Sequence, residues 1–194
     1  MSKEQDAELI AMTLAGDEVA FSHLVIQYRN AVYTIIYNMM GNHHEADDVA
    51  QEVFLRAYFS LRSFKGMSAF STWLYRIAVN QSLNALKKNK RHVVSLDEEL
   101  FGDGDGTARI DTIVDKADPP DHRAERNDTK KRVHAVILAL PANYRMVVTL
   151  RDIQGMAYEE VADIMNIPVN TVRTWLFRAR QILKERMEVD AHGL

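Results

Sequence analysis

The stretch AYEEVADIMNIPVNTVRTWLFRAR, residues 157–180, decides how the chain is read. Val161, Ala162, Met165, Ile167 and Val172 are its apolar positions, and the small Ala162 falls where two helices must approach closely. Asn166, Ile167 and Pro168 supply a short break, so the spacing predicts a helix-turn-helix. Glu160 stands third in the first helix, where its carboxylate can reach back to the backbone that opens it. On the second helix Val172, Leu176, Ala179 and Leu183 follow at i, i+4, i+7 and i+11, forming one seam flanked by Trp175 and Ile182. At about 100° per residue, Arg173, Thr174, Phe177, Arg178 and Gln181 point away from that seam, with Arg180 at its edge.

Such a face is either a solvated surface or a reading surface. A Phe set among arginines does nothing for solubility. In a major groove, however, arginines take guanine O6/N7 or phosphate, and Phe or Thr touches a thymine methyl. Asn170 and Thr171 open the same helix and can offer backbone N–H to a phosphate. Duplex DNA is the expected ligand.

The net charge of −3 at pH 7 argues against a nucleic-acid partner only until it is divided along the chain. Residues 1–91 hold 10 Lys and Arg against 9 Asp and Glu, residues 92–129 hold 4 against 11, and residues 130–194 hold 10 against 7. The acidity is confined to the middle. Gly102, Gly104, Gly106, Pro119 and Pro120 lie there among repelling acids, so the segment cannot bury enough apolar surface to offset its ordering entropy. Residues 92–129 are therefore expected to be a linker, about 35 Å across as a coil and about 125 Å pulled straight, with ARIDTIV as a local docking patch. There is no Cys among the 194 residues, which rules out disulfides, cysteine-held zinc and thiol nucleophiles. No apolar run reaches a membrane span and MSKEQDAELI is no signal peptide, so a cytoplasmic location is expected.

The fold class expected is all-α, two small helical domains at 1–91 and 130–194 joined by the acidic flexible linker. Short helix 4–14, a helix from Asp17 to Asn38 and a break at Gly41-Asn42 precede a stripe of Ala46, Val49, Ala50, Val53, Ala57 and Leu61. A loop, SFKGMSAF, leads into one long helix, STWLYRIAVNQSLNALKKNKR. In the second domain Pro141 opens a helix that Gly155 closes.

Two further faces carry chemistry. Asp47, Asp48, Gln51, Glu52, Leu55 and Tyr58 lie outward on one helix; acids near a helix start satisfy its dipole, but apolar Leu55 and Tyr58 beside them fit a protein-docking patch with a polar rim. Arg76, Asn80, Asn84, Lys87 and Lys88 stripe the long helix, and the loop before it offers Phe64, Lys65, Met67, Ser68 and Phe70. Cations beside rings are what unstacked single-stranded bases require. Trp73 and Leu74 read as core. His43 and Asp47 stand at a metal-compatible i, i+4 spacing without a third ligand, so neither a metal nor another cofactor is expected.

Taken in order, DDVAQEVFLRAY, FSTWLYRIAVN and LPANYRMVVTLRDIQGMAYEEVADIMNIPVNTVRTWLFRAR resemble an extracytoplasmic-function (group 4) sigma factor of bacterial RNA polymerase, close to the envelope-stress type, over about residues 5–91 and 130–187. The resemblance implies a promoter-specificity subunit and no enzyme of its own. It implies that Asp48, Gln51 and Glu52, with Leu55 and Tyr58 beside them, meet the β-prime clamp helices of core polymerase, whose β flap is a further partner. The Phe64–Phe70 loop resembles the one that captures a base flipped from the −10 element, supported by Arg76, Asn80, Asn84, Lys87 and Lys88. Asn170, Thr171, Arg173, Thr174, Phe177, Arg178 and Arg180 match the side that meets the −35 element. An anti-sigma factor is implied as partner, and no membrane insertion of this chain.

A spacer of roughly 16 base pairs puts the two elements about 55 Å apart, within the linker's reach. Its acids are expected to thread the polymerase's basic channels as a nucleic-acid mimic. Ala157 departs from the family's capping Ser or Thr, and Trp175 from a polar position. The alternatives are a stand-alone helix-turn-helix regulator, which leaves the Asp48 face and the Asn80 stripe idle, and a metal hydrolase built on His43, His44, Asp47 and Asp48, which lacks further ligands.

Overall fold

The computed structural model describes the backbone of residues 3–100 and 123–192 and the side chains of residues 4–88 and 131–188. Among these there are eight α-helices and no strand: α1 (Lys3–Leu14), α2 (Glu18–Met40), α3 (His43–Ser60), α4 (Phe70–Leu100), α5 (Arg123–Leu138), α6 (Ala142–Val148), α7 (Tyr158–Met165) and α8 (Val169–His192). A 3-10 turn, Leu61–Ser63, follows α3, and a π-turn, Thr149–Ile153, continues α6.

Local chemistry sets most of the boundaries. The Asp17 carboxylate accepts from the amides of Val19 and Ala20 and starts α2. Gly41 ends it at φ 76, a conformation that costs glycine nothing. Asn42 then caps α3 through the amides of His44 and Glu45. Gly155, at φ 73, reverses the chain after the π-turn.

The first domain buries Leu24, Val32 and Ile36 of α2 against Val53 of α3 and Leu74 of α4. The α3 stripe expected from periodicity is buried except for Ala50, which is only half-buried. Tyr28 and Gln27 of α2 both donate to the Asp6 carboxylate, at 2.6 and 3.0 Å, and tie α1 down. Burial, with that carboxylate beside it, pushes the Tyr28 phenol far above its usual range. In the second domain α6, α7 and α8 enclose Met146, Leu150, Val161 and Leu176, each at most 1% exposed.

The two domains are not separate bodies here. Ile35, Met39 and Val79 of the first belong to the same buried cluster as the second domain's core. Helical backbone also enters both ends of the segment expected to be linker, as far as Leu100 and from Arg123. Residues 101–122, with ARIDTIV and the threading acids between them, lie outside the described residues, as do the side chains of residues 89–130.

Candidate nucleic-acid and polymerase interfaces

The helix-turn-helix is built as its spacing predicts. Asn166 adopts φ 54, ψ 50 and ends α7, its amide and that of Ile167 bonding back to carbonyls of that helix. Ala157 has no side chain to cap with, so the Glu160 carboxylate alone serves this start, accepting from the Ala157 amide at 2.8 Å. Val172, Leu176 and Ala179 are buried and Leu183 half-buried, so the seam of α8 faces inward. Trp175 is half-buried with its ring 6.3 Å from Tyr144, on the core side.

The opposite side of α8 is open. Asn170, Arg173, Thr174, Phe177 and Arg178 are exposed, Phe177 by 63%, while Thr171 is half-buried. Arg173 leans over the Tyr158 ring at 5.8 Å, and Arg151 stacks there at 4.8 Å. Thr174 bonds back to the Asn170 carbonyl at 2.9 Å. Arg180, expected on the side that meets the −35 element, grips Asp152 with Nε at 3.1 Å and Nη2 at 2.5 Å, and this hydrogen bond raises its pKa further. Its guanidinium braces the π-turn against α8.

On α3, Asp47, Asp48, Gln51, Glu52, Leu55 and Tyr58 are all exposed. Asp48 lies 3.2 Å from the His44 imidazole, and Glu52 accepts from Gln81 of α4 at 2.8 Å, which fixes the carboxylate's direction. Leu55 is 58% exposed, an apolar centre in an acid rim. Sequence reasoning missed Phe59, 79% exposed, which extends this patch with Tyr58 into an open groove of about 360 Å³ that reaches Leu14 and Arg62. Its signal was its place one residue beyond Tyr58, where the helix still faces outward. Among the described residues no three His, Cys, Asp or Glu side chains converge on a metal position, and His43 instead meets the Tyr33 hydroxyl at 2.6 Å.

The loop before α4 divides in two. Lys65, Met67 and Ser68 are exposed, Met67 by 91%. Phe70 is 4% exposed, wedged among Tyr28, Phe64 and Trp73 at ring distances of 5.5 to 5.8 Å. Phe70 is thus a core ring that anchors the loop, not a ring free to hold a base, and Phe64 is half-buried against Trp73 at 5.3 Å. Leu74 is core, as expected. Along α4, Arg76, Asn80, Asn84, Lys87 and Lys88 are exposed. Arg76 is nevertheless engaged, its Nη2 donating to the Asp163 carbonyl of α7 at 2.6 Å.

Comparison with known proteins bears on the family of the chain. Residues 24–92 match the family model for Sigma-70 region 2, and residues 130–183 that for Sigma-70, region 4. The chain is 36% identical to the RNA polymerase sigma-H factor of Pseudomonas aeruginosa, covering 97% of this chain and 96% of that protein. It is 38% identical to the ECF RNA polymerase sigma factor SigW of Bacillus subtilis (89% and 91% covered) and 36% identical to the ECF RNA polymerase sigma-E factor of Escherichia coli K12 (94% of each). In fold it is similar to CnrH in complex with the cytosolic domain of CnrY, with a TM-score of 0.68 at 24% identity over 96% of this chain and 99% of the other. It is likewise similar to the sigma factor RpoE in complex with the anti-sigma factor NepR from Bartonella quintana, with a TM-score of 0.65 at 22% identity over 88% and 98%.

Proposed function

The chain belongs to the sigma-70 family, in its extracytoplasmic-function branch, and from that premise we propose which of its residues do the family's work. It is a sigma factor, a transcription initiation factor that binds core RNA polymerase, recognises promoter DNA and is regulated by an anti-sigma factor. In this reading residues 1–91 carry the polymerase and −10 work, 130–194 the −35 work, and the chain has no catalytic group of its own. It acts in the cytoplasm, where its polymerase is; among the described residues no helix is long and apolar enough to cross a membrane.

Asp48, Gln51 and Glu52 dock on the β-prime clamp helices, with Leu55 and Tyr58 as the apolar centre. Arg173 and Arg178 take base edges or phosphate of the −35 element, Thr174 and Phe177 the thymine methyls, and the start of α8 at Asn170 and Thr171 a phosphate. Lys65, Met67 and Ser68 receive an unstacked base of the −10 element while Asn80, Asn84, Lys87 and Lys88 hold its strand. Strand opening follows from differential binding: a flipped base gains contacts that a paired one cannot reach. Arg180 leaves the direct reading set for a bracing role, and Phe70 the base-holding set for an anchoring one.

What supports this best is one chain carrying two separate open nucleic-acid faces, on α8 and at the α4 loop, plus an acid-rimmed docking face on α3. A stand-alone regulator needs only the first. The test is reconstitution: purified chain and core polymerase are expected to co-elute and yield runoff transcript, and Asp48→Arg to weaken co-elution while helix content stays unchanged. Duplex binding without core binding would support the regulator instead.

A further inference from the structure

The exposed arginines of the chain are held in different ways, and the difference lies in what becomes of their donors. A guanidinium presents its N–H groups as a planar fork, and each one accepted inside the folded chain is lost to a ligand. Arg180 gives Nε and Nη2 to Asp152, at 3.1 and 2.5 Å, and Arg76 gives Nη2 to the Asp163 carbonyl at 2.6 Å. Among the described residues Arg173 has no hydrogen bond or ion pair; what it meets is the ring of Tyr158, with its guanidinium carbon 5.8 Å from the ring centre. A ring attracts the cation as a whole, through its quadrupole, so the fork stays open.

The ring is itself fixed. Tyr158 opens α7 and is half-buried. Arg151, on the π-turn and also half-buried, lies over the same ring at 4.8 Å, and its Nη1 donates to the Met156 carbonyl at 2.6 Å. The Met156 amide returns to the Leu150 carbonyl at 3.1 Å, so backbone on both sides of Arg151 holds it in place. From Arg151 through Tyr158 to Arg173 the contacts run from tied to loose, and the loose end faces solvent. Arg178 lies on the same open side and, among the described residues, has no ring, hydrogen bond or ion pair. A long side chain gives up rotamer freedom when it binds, and a contact made beforehand removes part of that cost. Arg173 has such a contact and Arg178 does not.

We propose that Tyr158 is a positioning residue for promoter specificity: its ring, fixed by Arg151, holds the Arg173 guanidinium in place with its donors unspent, and so sharpens discrimination at the base pair that Arg173 reads. The ring contact stands on the distances above; its effect on specificity rests on the −35 reading of Arg173.

In the free full-length chain, isotope-labelled on arginine, the Nε–H signals of Arg173 and Arg178 report the contact without DNA. The Arg173 signal is expected to be shifted by the ring current and to be less mobile than that of Arg178; Tyr158→Leu should abolish the shift and Tyr158→Phe, which keeps the ring, should preserve it. With core polymerase, runoff from promoters carrying single substitutions in the −35 element measures discrimination. Tyr158→Leu is expected to lower it about two- to fivefold at the base pair that Arg173→Ala identifies, the scale of one exposed cation–ring contact. It should leave the pair identified by Arg178→Ala unchanged and add nothing in an Arg173→Ala background, while Tyr158→Phe should match wild type. An Arg173 signal in the wild-type chain as mobile and unshifted as that of Arg178 overturns the contact, with no variant needing to fold. Equal losses at both base pairs, an equal loss in Tyr158→Phe, or unchanged discrimination in Tyr158→Leu overturns the positioning role. If Arg173→Ala itself discriminates as wild type does, the −35 reading of Arg173 fails and the proposal with it, whereas the signal still judges the ring contact.

Discussion

Helix α8 and the start of α4 look alike in sequence, each a basic, polar stripe beside an aromatic residue, yet the folded chain treats them differently. On α8 the aromatic residue, Phe177, stands free and the cations Arg173 and Arg178, proposed to read DNA, are exposed. At α4 the ring of Phe70 is core, and Arg76 is taken up by α7. Both surfaces are open, but at the second the ring serves the core and one cation is held by the chain's own second domain. Exposure of a charge is therefore no measure of its availability.

The sharpest way to break this comparison is at the rings. Phe70→Ala should destabilise the first domain by about 3–5 kcal/mol, as a large core truncation does, and lower the unfolding midpoint in urea. Met67→Ala, three residues earlier, should cost less than about 0.5 kcal/mol of stability and instead slow strand opening, read by permanganate footprinting. Equal stability losses would erase the division between anchor and contact.

Next in size is the α8 face. Arg173→Ala should lose about 1–3 kcal/mol of −35 discrimination, roughly 5- to 150-fold in binding against the wrong base. Competition with mutated upstream elements measures it, and a uniform loss across sequences would make Arg173 a phosphate contact.

A smaller effect concerns pH. Burial first, then His43 and Arg145, hold the His134 pKa below its ordinary 6.5 in the folded chain. Tyr37 of α2 stacks on its ring, and His43 of α3 and Arg145 of α6 act on its charge. A lowered folded pKa means that the folded chain binds the proton less well than the unfolded one. The stability tied to His134 is thus fully present above about pH 6.5 and is lost as pH falls through the lowered folded value. The unfolding midpoint in urea should be lower at about pH 5.5 than at about pH 7.5, and His134→Ala should flatten the difference.

The smallest is Arg180→Ala, which removes an exposed pair with Asp152 and should cost about 0.2–1 kcal/mol. It should change −35 affinity less than Arg173→Ala does. A larger loss would return Arg180 to the reading face.

What the sequence disclosed was local. The caps at Asp17, Gly41 and Gly155, the break at Asn166 and the α8 seam follow from spacing and φ preference within one or two turns, and each is where the spacing placed it. The Arg180–Asp152 pair is 28 residues apart, and Arg145 reaches a carbonyl 106 residues away. No periodicity carries such contacts. Val79 and Leu83 read as apolar from their residue types, but an apolar stripe does not say which domain covers it, and the acidic segment argued for two independent bodies. Phe70 misled because its neighbours Gly66, Met67 and Ser68 do form the exposed loop, and only the tertiary rings of Tyr28 and Trp73 claim it for the core.

The central claim, two DNA faces on one polymerase subunit, is most directly tested by transcription with core polymerase over a randomised promoter library, comparing wild type with Arg173→Ala and Met67→Ala. The account predicts two enriched sequence blocks about 16 base pairs apart, with Arg173→Ala erasing information in the upstream block only and Met67→Ala in the downstream block only. A single enriched block, or both blocks weakening together in either variant, would contradict it.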